Sequence, residues 1–508
     1  MAKTDWTIDL ATYRDKVMGC WTGKNIGGTL GTPFEGQQQM NDATFYVHKI
    51  DGDPLPNDDL DLQLVWLQAV ERYGIGHITP RLLGEHWLNM ISGPWNEYGV
   101  GGSNIRQGIY PPLSGAVRNE RWKYSNGAWI RSEIWACLFP GAPDLAARFA
   151  WMDASCDHCG EGIYAELFTA ALESAAFVLN DLRQLIDVAL ARIPADSRVA
   201  AMVKLACDCY DAKVPFADAR QKIVAANDLG WFQAPANIGF TVLGLLYGEG
   251  DFGKTVSLAV NCGDDTDCTG ATAGAVLGIM IGRNAIPARW IEPIGERIQT
   301  VAIHPFPANS VIPKTLGELT DRVVAAARAA ARFFPEAPMP GGGGKAITPA
   351  DVADLFKVTG QGAPLWQQNS NELEFDLPYG SLRVSYTGGA ELLPGETLKL
   401  EFAPNYRYYD NHLFSGKITL PETWSAPGGR EFTMRAYRGA ARLEVTVGEF
   451  ADSVLYLPLE LRLTGRTNPV TLHIPVVRRD SGELDLSHRY DCEWSNEIAR
   501  IEAAPTRS

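Results

Sequence analysis

Apolar residues recur with a helical period through the first two thirds of the chain. Between positions 13 and 334 they return every three or four residues in segments such as Asp59–Tyr73 and Pro235–Tyr247, and Gly or Pro loops separate these segments. The strict alternation that would indicate strands is missing from this part of the sequence. The pattern therefore predicts an all-helical domain over residues 1–338 and argues against an α/β fold.

The pattern changes after a segment rich in Pro and Gly, Pro335–Lys345. Because these residues do not sustain a helix, we predict a linker over residues 339–360. From 361 to 508, short alternating or β-branched runs are separated by Gly, Pro and Asn turns. About seven such runs are typical of a β-sandwich, so this part is predicted to be an all-β sandwich accessory domain.

Several aromatic residues of the predicted sandwich could have either of two roles. They are Tyr406, Tyr408, Tyr409 and Trp424. Aromatic rings stack on the apolar faces of sugars, which would make a carbohydrate platform. Packing within the sandwich or against the helical domain is the interpretation that we favour.

Composition and charge narrow the classes of partner. The 508 residues are 46% hydrophobic and 21% charged, as in ordinary globular proteins, and the net charge is −15. An acidic chain is a poor partner for nucleic acid, whose phosphates require a basic surface. The N-terminus lacks an apolar leader, and apolar runs such as Ala271–Ile281 are too short to span a membrane. We therefore expect a cytoplasmic protein without nucleic-acid or membrane partners.

Two acidic clusters precede predicted helices. They are Asn57–Asp61, with three aspartates, and Asp264–Cys268, also with three. One or two such side chains would cap a helix and complement its dipole. Crowded carboxylates repel one another unless a cation lies among them, and hard oxygen ligands suit Mg²⁺, Mn²⁺ or Ca²⁺. The clusters therefore predict a divalent-cation site.

A third element is the Gly-rich segment Gly19–Glu35. Its glycines permit close packing of helices and a tight turn, but it lacks the Lys-Ser/Thr pair of a phosphate-binding P-loop. The segment ends in a single acid, Glu35, two residues after Pro33.

In this order the three elements resemble the ADP-ribosylglycohydrolase family, which includes the dinitrogenase reductase-activating glycohydrolases. The family pattern corresponds here to Leu30–Glu35, Asn57–Leu60 and Gly263–Cys268, followed by a helix of small residues. The resemblance covers about residues 13–335 and excludes the predicted sandwich.

The resemblance implies a hydrolase that cleaves an N- or O-glycosidic bond to ADP-ribose or a related ribosyl or furanosyl sugar, in a small molecule or on a protein. It implies two cations, for which we expect Mg²⁺, with Mn²⁺ or Ca²⁺ as alternatives. The implied metal ligands are Asn57, Asp58, Asp59, Asp265, Asp267 and Cys268. The implied catalytic residues are Glu35, Asp58 and Asp267. The implied substrate contacts are Gly28, Asn126, Arg131 and His158.

Three positions depart from the family pattern. The family usually has Asp where Gly28 lies, and Thr where Asn57 and Cys268 lie. An Asn carbonyl can replace a hydroxyl as a hard ligand, whereas a neutral thiol is a poor ligand for Mg²⁺. The substrate alternative is therefore a glycan or small glycoside in place of ADP-ribose.

Two other functions compete with this interpretation. Asp265-Thr266-Asp267-Cys268-Thr269 matches the Asp-x-Asp-x-Thr motif of haloacid dehalogenase-like phosphatases, but that fold needs a buried strand before the motif, and the context here is helical. The other competing function is that of a non-catalytic protein, which uses metals only to hold sugar.

Cys156 and Cys159 form a Cys-x-x-Cys pair. Reduced thiols are favoured over a zinc site here because no second pair of similar spacing follows.

Overall fold

The structure is a computed structural model, and it describes residues 6–48, 50, 52–304, 312–351, 364–406 and 411–482. Contacts divide the chain into two compact units. The first contains residues 1–93, 121–154 and 158–368, and the second contains residues 94–120, 155–157 and 369–508. The predicted order, a helical region followed by a strand-rich region, is confirmed. The domain limits at 338 and 361 stay a prediction.

The helices are α1 to α16 in chain order, and α4 and α5 belong to the second unit. Their bounds are Leu10–Gly31, Asp58–Tyr73, Pro80–Met90, Asn96–Arg106, Leu113–Ala116, Glu133–Leu138, Pro143–Ala154, Glu161–Ala176, Leu182–Leu190, Arg198–Asp211, Phe216–Ala226, Ala234–Gly248, Phe252–Asn261, Thr266–Ile281, Ala288–Ile291 and Leu316–Phe333. Of the helices in the described ranges, none combines the length and apolarity needed to cross a membrane.

Helices α1 and α14 pack backbone to backbone along a row of glycines. The facing pairs are Gly19 with Gly278, Gly23 with Gly274, Gly27 with Gly270, and Gly31 with Thr266. A methyl group built on Gly23 would lie only 2.0 Å from the carbonyl oxygen of Gly274. The two helices run antiparallel, so the C-terminal end of α1 lies beside the N-terminal end of α14.

Part of the predicted linker is paired with the N-terminus. Strand β1 (Trp6–Ile8) lies between β2 (Met339–Pro340) and β3 (Lys345–Ala346), and both pairings are parallel. Pro and Gly end a helix, but they are compatible with short extended strands at the edge of a sheet. Residues 352–363 of the predicted linker and sandwich lie outside the described residues.

The second unit contains two sheets that share one core. Strands β4 to β12 have the bounds Glu372–Leu377, Gly380–Tyr386, Glu391–Leu392, Thr397–Tyr406, Leu413–Ile418, Glu431–Arg435, Ala441–Thr446, Val454–Leu463 and Val470–Arg478. One sheet has the order β10-β7-β5-β4 and the other β6-β12-β11-β8-β9. The pairings are antiparallel except that of β6 with β12.

Alternate residues of both sheets fill the core of the second unit. Ile109, Leu113 and Val117, from the segment 94–120, join the same cluster. Tyr406 and Trp424 are buried in it, which agrees with the packing role that we favoured. Tyr408 and Tyr409 lie outside the described residues.

The glycine row predicts a selective effect of one methyl group. We expect Gly23→Ala to lower the free energy of unfolding by about 1–3 kcal/mol or more, because backbone atoms of α14 cannot yield to an added side chain. The matched control is Gly317→Ala in α16, where the nearest atom to the new methyl would be 3.9 Å away. This control should be neutral or stabilising by up to about 1 kcal/mol. Thermal unfolding followed by circular dichroism measures both, and equal effects would contradict the close approach.

Candidate metal centre

The glycine contact brings the three chemical motifs of the sequence together. Glu35 follows α1 after a single 3₁₀ turn, Asn57 is the N-cap of α2, and Asp265 is the N-cap of α14. Potential ligand atoms of Asp59, Asp267 and Cys268 all lie within 4.8 Å of one another. The same limit holds for Glu35, Asp265 and Asp267, so Asp267 belongs to both groups. Cys156 and Cys159 belong to neither group.

The pKa values of the cluster reflect burial and mutual repulsion. Glu35 is exposed as a whole, yet its carboxyl end faces the aspartates. The charge of Asp267, partial desolvation and the charge of Asp58 together raise the pKa of Glu35 to about 7. Burial, followed by repulsion from Asp267, raises the pKa of Asp265 well above its usual range.

Asp59 is buried at the base of the cluster and is 1% exposed. Burial raises its pKa well above the usual range, Lys24 opposes this shift, and Asp267 and Asp58 add to it. Asp267 is also buried, and its Oδ1 atom has no hydrogen-bond partner. Buried carboxylate oxygens are costly when they are not compensated. A divalent cation bound by Asp267 and the neighbouring carboxylate oxygens would compensate this atom.

Asn57 and Gly28 are complementary in shape. The Asn57 Oδ1 atom accepts a hydrogen bond from the backbone N–H of Asp59 at 2.8 Å, and its Nδ2 atom lies 3.4 Å from Asp267 Oδ2. A methyl group on Gly28 would lie 2.5 Å from Asn57 Nδ2. The absence of a side chain at position 28 thus leaves room for the Asn57 amide, and the predicted ligand oxygen also serves as the helix cap.

Asn126 is the predicted substrate contact that reaches the cluster by hydrogen bonding. Its Nδ2 atom donates to Asp265 Oδ2 at 2.7 Å, and its Oδ1 atom accepts from Trp129 Nε1 at 3.0 Å. Both ends of the amide are therefore committed. In this arrangement Asn126 holds Asp265 in place.

Arg131 and His158 are both fully buried. Arg131 donates from Nε to Asp153 Oδ1 at 2.7 Å, and its side chain also donates to the carbonyl of Gly127. The His158 Nε2 atom lies 3.3 Å from Ser125 Oγ. These bonds direct neither side chain to a member of the carboxylate cluster, so their role as substrate contacts stays a prediction.

The helical part of this chain matches a known protein family. The model of the ADP-ribosylglycohydrolase family matches residues 9–330. This chain belongs to the ADP-ribosylglycohydrolase family. Membership supports a glycohydrolase type of activity, and the family generally depends on divalent metal ions.

Two other proteins are similar to this chain. A protein of Archaeoglobus fulgidus described as uncharacterized is 23% identical over 299 residues, which are 56% of this chain and 92% of the relative. A solved structure named "ADP-ribosylglycohydrolase-related protein complex" has 19% identity and a TM-score of 0.41. That match covers 64% of this chain and 99% of the other.

A buried ion pair that no sequence motif indicated lies next to Asp59. The Lys24 Nζ atom lies 2.8 Å from Glu133 Oε1 and 3.7 Å from Asp59 Oδ2. It also donates to the carbonyl of Ile130 at 2.6 Å. Burial alone would lower the pKa of Lys24, but Glu133 and Asp59 raise it above its usual value, so the ammonium remains charged. The signal in the sequence was Lys24 itself, a single Lys within the Gly-rich segment Gly19–Glu35.

Asp264 also has a role that its motif did not reveal. Its carboxylate accepts hydrogen bonds from the Phe232 backbone N–H at 3.0 Å and from Asn237 Nδ2 at 2.9 Å. Its backbone has φ of +70° and exchanges hydrogen bonds with Gly36 and Gln37. The first acid of the second motif therefore fixes the loop that carries Glu35, while the other two acids face the cluster.

The buried pair predicts a large penalty for removal of one partner. We expect Lys24→Met to lower the free energy of unfolding by about 3–5 kcal/mol, because Glu133 and Asp59 lose their buried countercharge. The control is Lys254→Met, which breaks an exposed pair with Glu249 and should cost less than about 1 kcal/mol. Adding Glu133→Gln to Lys24→Met should restore part of the loss. Chemical denaturation measures these differences, and equal losses in the two single variants would refute the structural role.

Proposed function

We propose that this chain is a metal-dependent glycohydrolase that cleaves an N- or O-glycosidic bond to ADP-ribose or a related ribosyl or furanosyl sugar. The observation that supports this proposal is the convergence of Glu35, Asp265 and Asp59 on Asp267, whose buried Oδ1 atom has no hydrogen-bond partner. Membership of the family supports the glycohydrolase activity. The substrate would be a small-molecule or protein-linked glycoside.

The residues fit distinct tasks in such a reaction. The divalent cations would be held by Asp59, Asp265 and Asp267, with Asp58 and Asn57 beside them. Mg²⁺ is our first choice where the ligands are only the carboxylate oxygens of Glu35, Asp265 and Asp267. Bound cations would supply Lewis acidity toward sugar hydroxyls and water. Asn126 keeps the Asp265 carboxylate in position.

Glu35 is suited to proton transfer because it is the exposed member of the cluster. Its carboxyl group would give a proton to the leaving atom as the bond to the anomeric carbon breaks, or would position the water. In the first case, the water that adds to that carbon would return a proton to the Glu35 carboxylate. The charges of Asp267 and Asp58 raise the pKa of this group to about 7 in the metal-free chain, and cations bound to those aspartates would lower it.

The substrate class has a second candidate because the centre departs from the family pattern. The Asn57 oxygen is already a helix cap, the position of Gly28 lacks a carboxylate, and Cys268 offers sulfur. These differences favour testing furanosyl glycosides without an ADP group as the alternative. A protein that binds such sugars but releases no free sugar would be a non-catalytic sugar-binding protein.

The role of Glu35 predicts loss of turnover without loss of metal binding. We expect Glu35→Gln to lower kcat by about 10²-fold or more, the usual scale for a lost general acid or base. The assay measures sugar release from ribosyl and other furanosyl glycosides and from ADP-ribosyl-arginine. Glu292→Gln, an exposed change on the same domain, is the control and should leave turnover unchanged. Unchanged turnover in Glu35→Gln would remove this residue from the proton transfer.

Metal binding predicts that Asp267→Asn affects Tm differently in the presence and in the absence of divalent cations. Without divalent ions the variant should melt at the same temperature as the unsubstituted chain or higher, because one of several crowded negative charges is removed. Added Mg²⁺ should raise Tm of the unsubstituted chain, since an ion at 100 times its Kd stabilises by about 2.7 kcal/mol. Asp267→Asn should lose that rise, and Asp218→Asn, an exposed control, should keep it. A rise that persists in Asp267→Asn would place the ion elsewhere.

A further inference from the structure

The two groups of potential ligands around Asp267 differ in chemistry. Glu35, Asp265 and Asp267 offer only carboxylate oxygens, whereas Asp59, Asp267 and Cys268 include a thiol sulfur. The second group is buried throughout, and Cys268 is 5% exposed. Its Sγ atom donates a hydrogen bond to Asp59 Oδ1 at 3.5 Å. The sulfur therefore points at a carboxylate that the proposed function already assigns to metal binding.

An unsatisfied oxygen belongs to Asp267, the residue that both groups share. Asp267 is 7% exposed, and its Oδ1 atom has no hydrogen-bond partner. Such an atom normally carries the full cost of desolvation. A cation between Asp267, Asp59 and the Cys268 sulfur would remove that cost.

We infer that Cys268 is a metal ligand and that the Asp59–Asp267–Cys268 position selects a thiophilic divalent ion of the Zn²⁺ class, whereas the all-oxygen position takes Mg²⁺. Thiolates prefer Zn²⁺ and similar ions over Mg²⁺, and a thiol that binds such an ion gives up its proton. The Cys268 S–H bond breaks, a sulfur–metal bond forms, and the proton passes to solvent without any redox change. The inference rests on the proposed function for the metal-binding role of Asp59 and Asp267.

Burial and the neighbouring carboxylates raise the pKa of the Cys268 thiol, so the sulfur becomes anionic only when a metal ion binds it, and Lys24 offsets the charge of Asp59 alone. Lys24 Nζ lies 3.7 Å from Asp59 Oδ2, on the carboxylate whose other oxygen meets the Cys268 thiol. Two carboxylates and a thiolate exceed the charge of one divalent ion. A fixed cation beside Asp59 offsets part of the excess, as Coulomb attraction is strong away from water.

The test uses Co²⁺ as a spectroscopic probe on the metal-stripped full chain in the presence of excess Mg²⁺. We expect a thiolate-to-cobalt charge-transfer band in the near ultraviolet that saturates in proportion to the chain and disappears when Zn²⁺ displaces Co²⁺. Cys268→Ser and Cys268→Thr should both lack the band. Cys262→Ser, a change at another buried cysteine, should retain it.

Affinity measurements complete the test. Zn²⁺ binding should weaken by on the order of 10- to 100-fold or more in Cys268→Ser, while Mg²⁺ binding stays unchanged. No band in the unsubstituted chain, or a band that survives in either Cys268 variant, would overturn the inference. Sugar release with Mg²⁺ but without a cobalt band would refute this inference alone, whereas a band without sugar release from any glycoside would refute the proposed function alone.

Discussion

The backbone contact between α1 and α14 is the constraint on which the centre depends. Carbonyl oxygens of one helix lie where side chains of the other would be, as at Gly27 and Gly270, so no residue larger than glycine fits there. Because the helices are antiparallel, this contact places the turn with Glu35 beside the start of α14. The Thr266 hydroxyl donates to the Gly31 carbonyl at 2.8 Å and fixes the register of the two ends.

The close contact between α1 and α14 has an electrostatic consequence. Carboxylates from three segments meet in a buried space, and the pKa values of Asp59 and Asp265 rise because burial and neighbouring charges oppose ionisation. Lys24 offsets part of the charge from below, but Glu133 shares it. A divalent cation would supply the remaining compensation. The packing that makes the centre possible thus also creates its demand for positive charge.

Sequence patterns revealed the local features of this arrangement and missed the long-range ones. The helical period, the two aspartate motifs and Glu35 were readable because each lies within a few consecutive residues. The pairing of Lys24 with Glu133 joins positions 109 residues apart, and no local pattern links them. The sequence could not show that Asp264 differs from Asp265 and Asp267. Asp264 has a left-handed backbone conformation, and its carboxylate accepts a hydrogen bond from the Phe232 N–H. The Pro- and Gly-rich segment predicted a linker, but parallel pairing with β1 depends on a partner at the other end of the domain.

The three departures from the family pattern form one local rearrangement. The Asn57 amide reaches Asp267 through space that a side chain at position 28 would fill. The Cys268 sulfur donates to Asp59, which belongs to the first aspartate motif. Asp at position 28 would bring its Cβ against the Asn57 amide, so the end of the Asn57 side chain would have to move. Glu35 and Asp265, together with the Asn126 side chain that holds Asp265, lie outside these changes. The centre thus combines one conventional oxygen-lined side with one modified side, and the modified side is where specificity for metal and sugar would differ from other members of the family.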